Sequence, residues 1–334
     1  MELFFELNTR KDGLVVTGGK DIEGELVIPE ENEYNEEKHP ITAIKEWAFS
    51  DCTRLTHIVI PSSVIEIGDC AFYRSGLEEV EIPDSVERIG NGAWSCQHLK
   101  KIVAHGDCYF SNDENNMLFH KESHHNPFLN KWEFQWSIAA IAYASIPDIV
   151  TIPPFVTKIE KFSFAECENL IKVIFHNKVS EIEDYAFTDC PKLTEVLLPD
   201  AVTELASGVF DGCESLSTVK IPCVKTIGDD SFKDCKQLRT LHIPESVSCI
   251  KSSAFENCES LVSITIPSST DCIEWNAFEG CTSLEEVVFA KGAVLEIGED
   301  AFVGCNNLKR IIIDDEELLE DAGVPDDVEI VKPK

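Results

Sequence analysis

A small residue followed by an aromatic recurs along this chain, with the aromatic at Phe49, Phe72, Trp94, Phe164, Phe187, Phe210, Phe232, Phe255, Phe278 and Phe302. Successive spacings are therefore 23, 22, 70, 23, 23, 22, 23, 23 and 24 residues. No other feature restricts the fold as much. A unit of ~23 residues cannot bury its apolar face alone, whereas stacked copies share one continuous core. Three residues past the aromatic stands a cysteine, at Cys52, Cys167, Cys190, Cys213, Cys235, Cys258, Cys281 and Cys305. Cys96 follows Trp94 by two, and Ser75 takes the position once. The spacing of 70 is close to three periods and predicts about two degenerate turns inside it.

Each unit then runs into an L-x-x-L-x-L pattern, as in Leu55, Ile58, Ile60 or Leu261, Ile264, Ile266. The final alternation of branched residues is a strand signal. A proline usually follows (Pro61, Pro83, Pro199, Pro222, Pro244, Pro267) and ends the strand, because it has no N–H for the ladder. A second apolar pair, such as Val64 and Ile67, precedes the next aromatic. An aromatic and a cysteine three apart share one face of a helical turn. The expected unit is thus strand, turn, short extended piece and helical turn.

The residues Ile60-Pro61-Ser62-Ser63-Val64, Ile67-Gly68, Ala71-Phe72 and Leu77 resemble the BspA-like class of leucine-rich repeat, and the likeness extends over about residues 22–313. The resemblance implies an α/β-type leucine-rich repeat solenoid, β-rich, with parallel strands on the concave face and short helical turns and extended segments on the convex side. It also implies binding of proteins or glycans, often as bacterial or protist surface proteins. The motif residues are structural, so no catalytic residue is carried over. One domain is expected over 1–334: an acidic N-terminal cap (1–39), repeats (40–104), an irregular insertion with degenerate turns (105–150), repeats (151–313) and a C-terminal cap (314–334).

Charge narrows the function. The chain has 334 residues with 28 Lys+Arg against 61 Asp+Glu, a net −33. Nucleic acid and anionic membrane are thereby excluded as expected partners, because phosphate contacts need clustered Lys and Arg. Eleven of the acids lie in residues 1–39 and nine in 314–334, where they keep the exposed ends of a repeat stack from pairing end to end. Asp315 to Gly323 reads as a short acidic helix, and Val328-Glu329-Ile330-Val331 as a closing strand. The acids are not spaced like phosphates along one face, which disfavours an acidic inhibitor or DNA mimic of a basic protein. No run of about 18 apolar residues is present, and Met1 to Glu6 has no basic, then apolar, leader pattern. The chain as written is expected in the cytoplasm, or outside the cell if a signal segment has been removed.

Fourteen cysteines against two methionines are the oddest feature of the composition. The nine on repeat-equivalent positions are expected to point inward as core fillers, and the thiols are expected to be reduced, with all fourteen free. No C-x-x-C occurs and single cysteines ~23 apart do not group around a metal, so no metal site and no cofactor are expected.

Positions between the inward strand aliphatics face outward and form the expected site for a protein partner: His57, Val59, Glu79, Glu81, Lys101, Val103, Lys172, Ile174, Glu195, Leu197, Lys220, His242, Glu286, Val288, Arg310 and Ile312, interspersed with Thr218, Thr240, Ser263 and Thr265. These twenty carry four acids and four bases, so the strip is near neutral on a very acidic chain. Six are aliphatic, as an interface core requires, although β-branched residues also arise on sheets from strand propensity alone. A glycan is the alternative ligand, and a monomer is expected. The insertion carries His105, His120, His124, His125, Trp132 and Trp136, and Tyr109 to Phe119 reads as a hairpin. His120 with His124 and His125 has some metal-ligand character, and Asn112, Asp113, Glu114 and Asn116 some calcium-loop character, but solvated loop is the simpler reading of both. No nucleophile elbow, phosphate loop or H-E-x-x-H is present, and Cys108 near His105 or His120 has no third orienting group. The chain is read as a non-catalytic scaffold.

Overall fold

The computed structural model describes residues 1–112, 116–126, 131–292 and 296–333, with the side chains of Phe110, Asn112, 124–126 and 131–133 outside that description. The chain divides into two compact units, Met1–Ile146 with Lys158–Phe164, and Pro147–Thr157 with Ala165–Lys334. Among the described residues no helix is long and apolar enough to cross a membrane.

In the first unit the strands Gly24–Val27, Leu55–Val59, Glu79–Ile82 and Lys101–Ala104 stack in parallel as one sheet. A second sheet begins with Glu2–Leu7 antiparallel to Leu14–Lys20, then continues in parallel through Glu37–Ile44, Glu66–Ile67 and Arg88–Ile89. The alternation of Leu3, Phe5 and Leu7, half-buried against the core, holds the N-terminal hairpin over the end of that sheet.

The second unit repeats the arrangement. Ile149–Thr151, Lys172–Ile174, Glu195–Leu197 and Thr218–Lys220 form one parallel sheet, and Ser263–Ile266, Glu286–Phe289, Arg310–Ile312 and Glu329–Val331 another. A parallel bridge between Thr240 and Ser263 continues the same side of the stack. Across the core run the two-residue strands Thr226–Ile227, Cys249–Ile250, Cys272–Ile273 and Glu296–Ile297. The acidic segment near the C-terminus forms the 3₁₀ turn Glu316–Leu319, whose start is capped by Asp315 accepting from the Glu317 N–H at 3.2 Å.

The ring ladder fills the core. Phe187, Phe210, Phe232, Phe255, Phe278 and Phe302 stack with successive centroids 5.8, 5.7, 5.4, 5.2 and 5.5 Å apart. In the first unit Phe49, Phe72 and Trp94 do the same at 5.4 and 4.8 Å. The ladder cysteines do more than fill space. Cys213, Cys235, Cys258, Cys281 and Cys305 each donate Sγ–H to the carbonyl of the preceding repeat's phenylalanine at 3.2–3.3 Å.

Three expectations need correction. The turn carrying the aromatic is not helical; among the described residues the only helices are the 3₁₀ turns Tyr143–Ser145 and Glu316–Leu319. Around Phe255, the N–H groups of Ser253, Phe255 and Asn257 donate to the next repeat's Trp275, Ala277 and Glu279 carbonyls, while those of Ala254, Glu256 and Cys258 donate within the turn. Alternation of this kind needs left-handed backbone two residues before and after the aromatic, as at Ser253 (φ 54°) and Asn257 (φ 58°), and a left-handed residue stops a right-handed helix. Second, between Trp94 and Phe164 two degenerate turns are not what is found. Tyr109–Asn112, Met117–Asn126 and Lys131–Ile141 form an antiparallel meander, followed by one repeat-like strand, Ile149–Thr151.

Third, not all thiols are reduced. Cys249 and Cys272, off the ladder, are in register on adjacent parallel strands with Cα atoms 4.8 Å apart, and they form a disulfide. Twelve cysteines are free. Titration of the denatured, unreduced chain is accordingly expected to find twelve thiols, and two more after reduction; fourteen before reduction would contradict the bond.

Candidate interaction surface

Strand geometry decides which side chains meet solvent. Successive residues point to opposite faces, so in Glu79–Ile82 the pattern is exposed, buried, exposed, buried. Val80 and Ile82 enter the core while Glu79 and Glu81 project outward. Of the sixteen positions expected to bind a partner, ten are exposed, six are half-buried and none is buried.

They fall on separate sheets. In the first unit, His57 and Lys101 flank Glu79, and Val103 lies beside Glu81. In the second unit's first sheet, Lys172 stands opposite Glu195 and Leu197 opposite Lys220. On its other sheet, Glu286 pairs with Arg310 and Val288 with Ile312. His242 sits between these sheets beside a shallow hollow of about 290 Å³ lined by Thr240, Glu245, Thr265 and Pro267.

Charge on this surface is largely cancelled from within. Lys172 donates to Glu195, Arg310 Nε donates to Glu286 at 2.7 Å, and Lys220 Nζ donates to Asp200 at 3.0 Å. Such exposed pairs add only about 0–1 kcal/mol to stability. Their effect here is to neutralise three of the four bases and leave the aliphatic positions as the distinguishing chemistry. Ile174 and Leu197 are 43% and 45% exposed.

Sequence reasoning missed residues that extend the aliphatic rows. Ile149 is exposed beside Lys172, Val27 pairs with Val59, and Val331 pairs with Ile312. Their strands follow no aromatic–cysteine turn of the counted series, so counting from the aromatic could not reach them. The signal was present at Ile149-Val150-Thr151-Ile152-Pro153, which keeps the strand alternation and the closing proline. Also missed was a groove of about 980 Å³ with mixed polar and apolar lining in the first unit, where the hairpin Glu2–Leu7 and Leu14–Lys20 meets the short strands. Asn8, Arg10, Asp69, Arg88 and Asn91 line it, with Lys45 bonded to Glu6 at 2.9 Å.

The hairpin expected at Tyr109 to Phe119 is present, with Tyr109–Asn112 paired antiparallel to the start of Met117–Asn126, while the side chains singled out around it are arranged differently. Cys108 is half-buried against the core, and His120, considered as its partner, is bonded to Glu160 through Nδ1 at 2.9 Å. The side chains of Asn112, Asp113, Glu114, His124, His125 and Trp132 lie outside the described residues.

The family described as BspA type leucine-rich repeat region (6 copies) matches residues 33–116, 138–226 and 221–320. The gap from 117 to 137 coincides with most of the antiparallel meander. A leucine-rich repeat protein from Eubacterium ventriosum is 20% identical with a TM-score of 0.64, covering 91% of this chain and 92% of its own. A leucine-rich cell surface protein from Faecalibacterium prausnitzii is 21% identical with a TM-score of 0.53, covering 86% and 93%. No curated protein matches the chain.

Proposed function

Because the chain belongs to the BspA-type leucine-rich repeat family, we propose that it is a non-catalytic scaffold that binds a protein partner on the outward faces of its parallel sheets. The observation that carries this reading is the combination on those faces of internally paired charge and exposed aliphatics, Ile174 beside Leu197 above all. Apolar positions inside a polar rim are what a desolvated interface core needs. Substituting Ile174, Leu197, Val288 and Ile312 together with Asp is expected to reduce capture of a partner from the source organism's lysate at least about tenfold, each buried apolar anchor contributing 1 kcal/mol or more. Circular dichroism should remain that of the parent, since all four side chains reach solvent. Undiminished capture would place the site elsewhere.

A glycan ligand is the second reading, and the groove of the first unit, whose lining mixes polar and apolar groups, favours it. Arg10, Asn91 and the guanidinium N–H groups of Arg88 that do not bond Glu66 offer donors of the kind that hydroxyl-rich ligands use. Oligosaccharide binding that survives the four aspartates but is lost on changing Arg88 and Asn91 would select it. The disulfide supports a place in an oxidising compartment over the cytoplasm, where such bonds are rare.

A further inference from the structure

The meander of the first unit brings together three side chains far apart in sequence. His120 and Glu122 are two apart on the strand Met117–Asn126 and so share a face. Glu160 follows the strand Lys158–Ile159, which pairs in parallel with Ser137 and Ile138, and its N–H donates to the Ile138 carbonyl at 3.0 Å. His120 Nδ1 lies 2.9 Å from Glu160 Oε1 and 3.8 Å from Glu122 Oε1. One ligand atom from each residue fits within a mutual span of 4.8 Å.

We propose that His120, Glu122 and Glu160 bind a divalent transition-metal cation. Metal–nitrogen and metal–oxygen bonds of about 2.0–2.2 Å place coordinated donors roughly 3–3.6 Å from one another, so small side-chain adjustments close these three around one ion. The net charge suits a cation. Among the described residues no Lys or Arg pairs with either carboxylate, and a neutral imidazole with two carboxylates carries −2, which a divalent ion cancels. A protonated imidazole alone would leave −1.

The surroundings hold the donors in place, as outer-shell groups do at metal centres. The Ser137 hydroxyl, almost wholly buried, donates to Glu160. Tyr109 stacks on the His120 ring with centroids 4.6 Å apart, and its own hydroxyl accepts the Ile89 N–H at 2.9 Å. The Glu160 and His120 side chains are only 12% and 20% exposed, while Glu122 is 48% exposed and gives the ion a route from solvent. One nitrogen and two oxygens suit Zn²⁺, Mn²⁺ or Fe²⁺ better than Ca²⁺, which takes six to eight oxygens, or Cu⁺, which prefers thiolates.

Calorimetric titration of the full chain with ZnCl₂, in excess Mg²⁺ to displace ions held diffusely by the acidic surface, tests the site. Mn²⁺ followed by electron paramagnetic resonance is the second probe, because it does not favour thiols. The expected result is one Zn²⁺ per chain, with Mn²⁺ bound more weakly at the same stoichiometry and displaced by Zn²⁺. H120A and E160Q should weaken binding about tenfold or more, S137A by about tenfold through Glu160, and a C52S/C108S/C223S variant not at all. Should H120A or E160Q fail to fold, E122Q decides, since its side chain is half in solvent: about tenfold weaker binding is expected there too. The proposal is overturned if E122Q binds as the parent does, if binding follows the cysteines, or if no one-to-one binding occurs at millimolar Zn²⁺.

Discussion

Phe255→Ala lowers the unfolding free energy of the chain by about 3–5 kcal/mol, the cost of emptying a phenylalanine-sized space in a close-packed core. Phe255 is 0% exposed and lies between two parallel rings, Phe232 at 5.4 Å and Phe278 at 5.2 Å. Each ring contact adds about 0.5–1.5 kcal/mol beyond the buried area. In a stack of repeats stability is carried by nearest-neighbour interfaces, so the substitution damages two of them. Phe302 has Phe278 on one side and no further ring of the ladder on the other. Phe302→Ala should therefore cost measurably less. Urea unfolding of both variants checks the pair of expectations; equal losses, or a loss below about 1 kcal/mol at Phe255, would mean that the ladder is not the stabilising unit.

Alkali is expected to destabilise the first unit through Cys96. Burial pushes this thiol up from its ordinary 9.0 to about 12, with the bond to Ser75 opposing only part of the shift. Its Sγ–H donates to the Phe72 carbonyl at 3.0 Å, an interaction that a thiolate cannot make. Below pH 9 both folded and unfolded states keep the proton, and the stabilisation is whole. Between 9 and 12 the unfolded state loses its proton first and stability falls with rising pH, by about 4 kcal/mol for three pKa units. The measurement is unfolding free energy against pH for the parent and for Cys96→Ala. The variant should be less stable at pH 7 yet show a shallower alkaline slope, and an unchanged slope would remove Cys96 as the cause. The second unit's Cys235 and Cys258, also raised by burial, should behave in the same way.

What the sequence made legible was whatever repeats. Phe187 to Phe302, the inward Leu and Ile positions and the outward strand positions all follow from a period, because each repeat presents the same face to the same neighbour. Turn conformation was legible in principle. The residue before the ladder cysteine is Asp, Asn or Gly at 51, 189, 212, 234, 257, 280 and 304, and these are the residue types that tolerate positive φ. A three-residue spacing alone suggested a helix because it says nothing of where the amides point. Non-local pairing was not legible. His120 meets Glu160 across forty positions only because the meander's last strand pairs with Lys158–Ile159. Cys249 meets Cys272 at a position that holds cysteine in neither of the flanking repeat strands, where Thr226 and Glu296 stand.

The alternating amides of the aromatic turn also bear on how such a chain can change in length. Every second N–H in the turn ends on the carbonyl of the following repeat, as Phe255 does on Ala277 and Asn257 on Glu279. Removing part of a repeat would orphan a row of donors in one turn and acceptors in another, each that is buried, as at Phe255 and Ala277, costing about 1–3 kcal/mol. Removing a whole repeat rejoins the two rows. Growth and trimming of this protein by insertion or deletion are thus quantised in units of one turn, and a segment such as the meander is accommodated because it leaves and re-enters the stack between strands rather than within a turn.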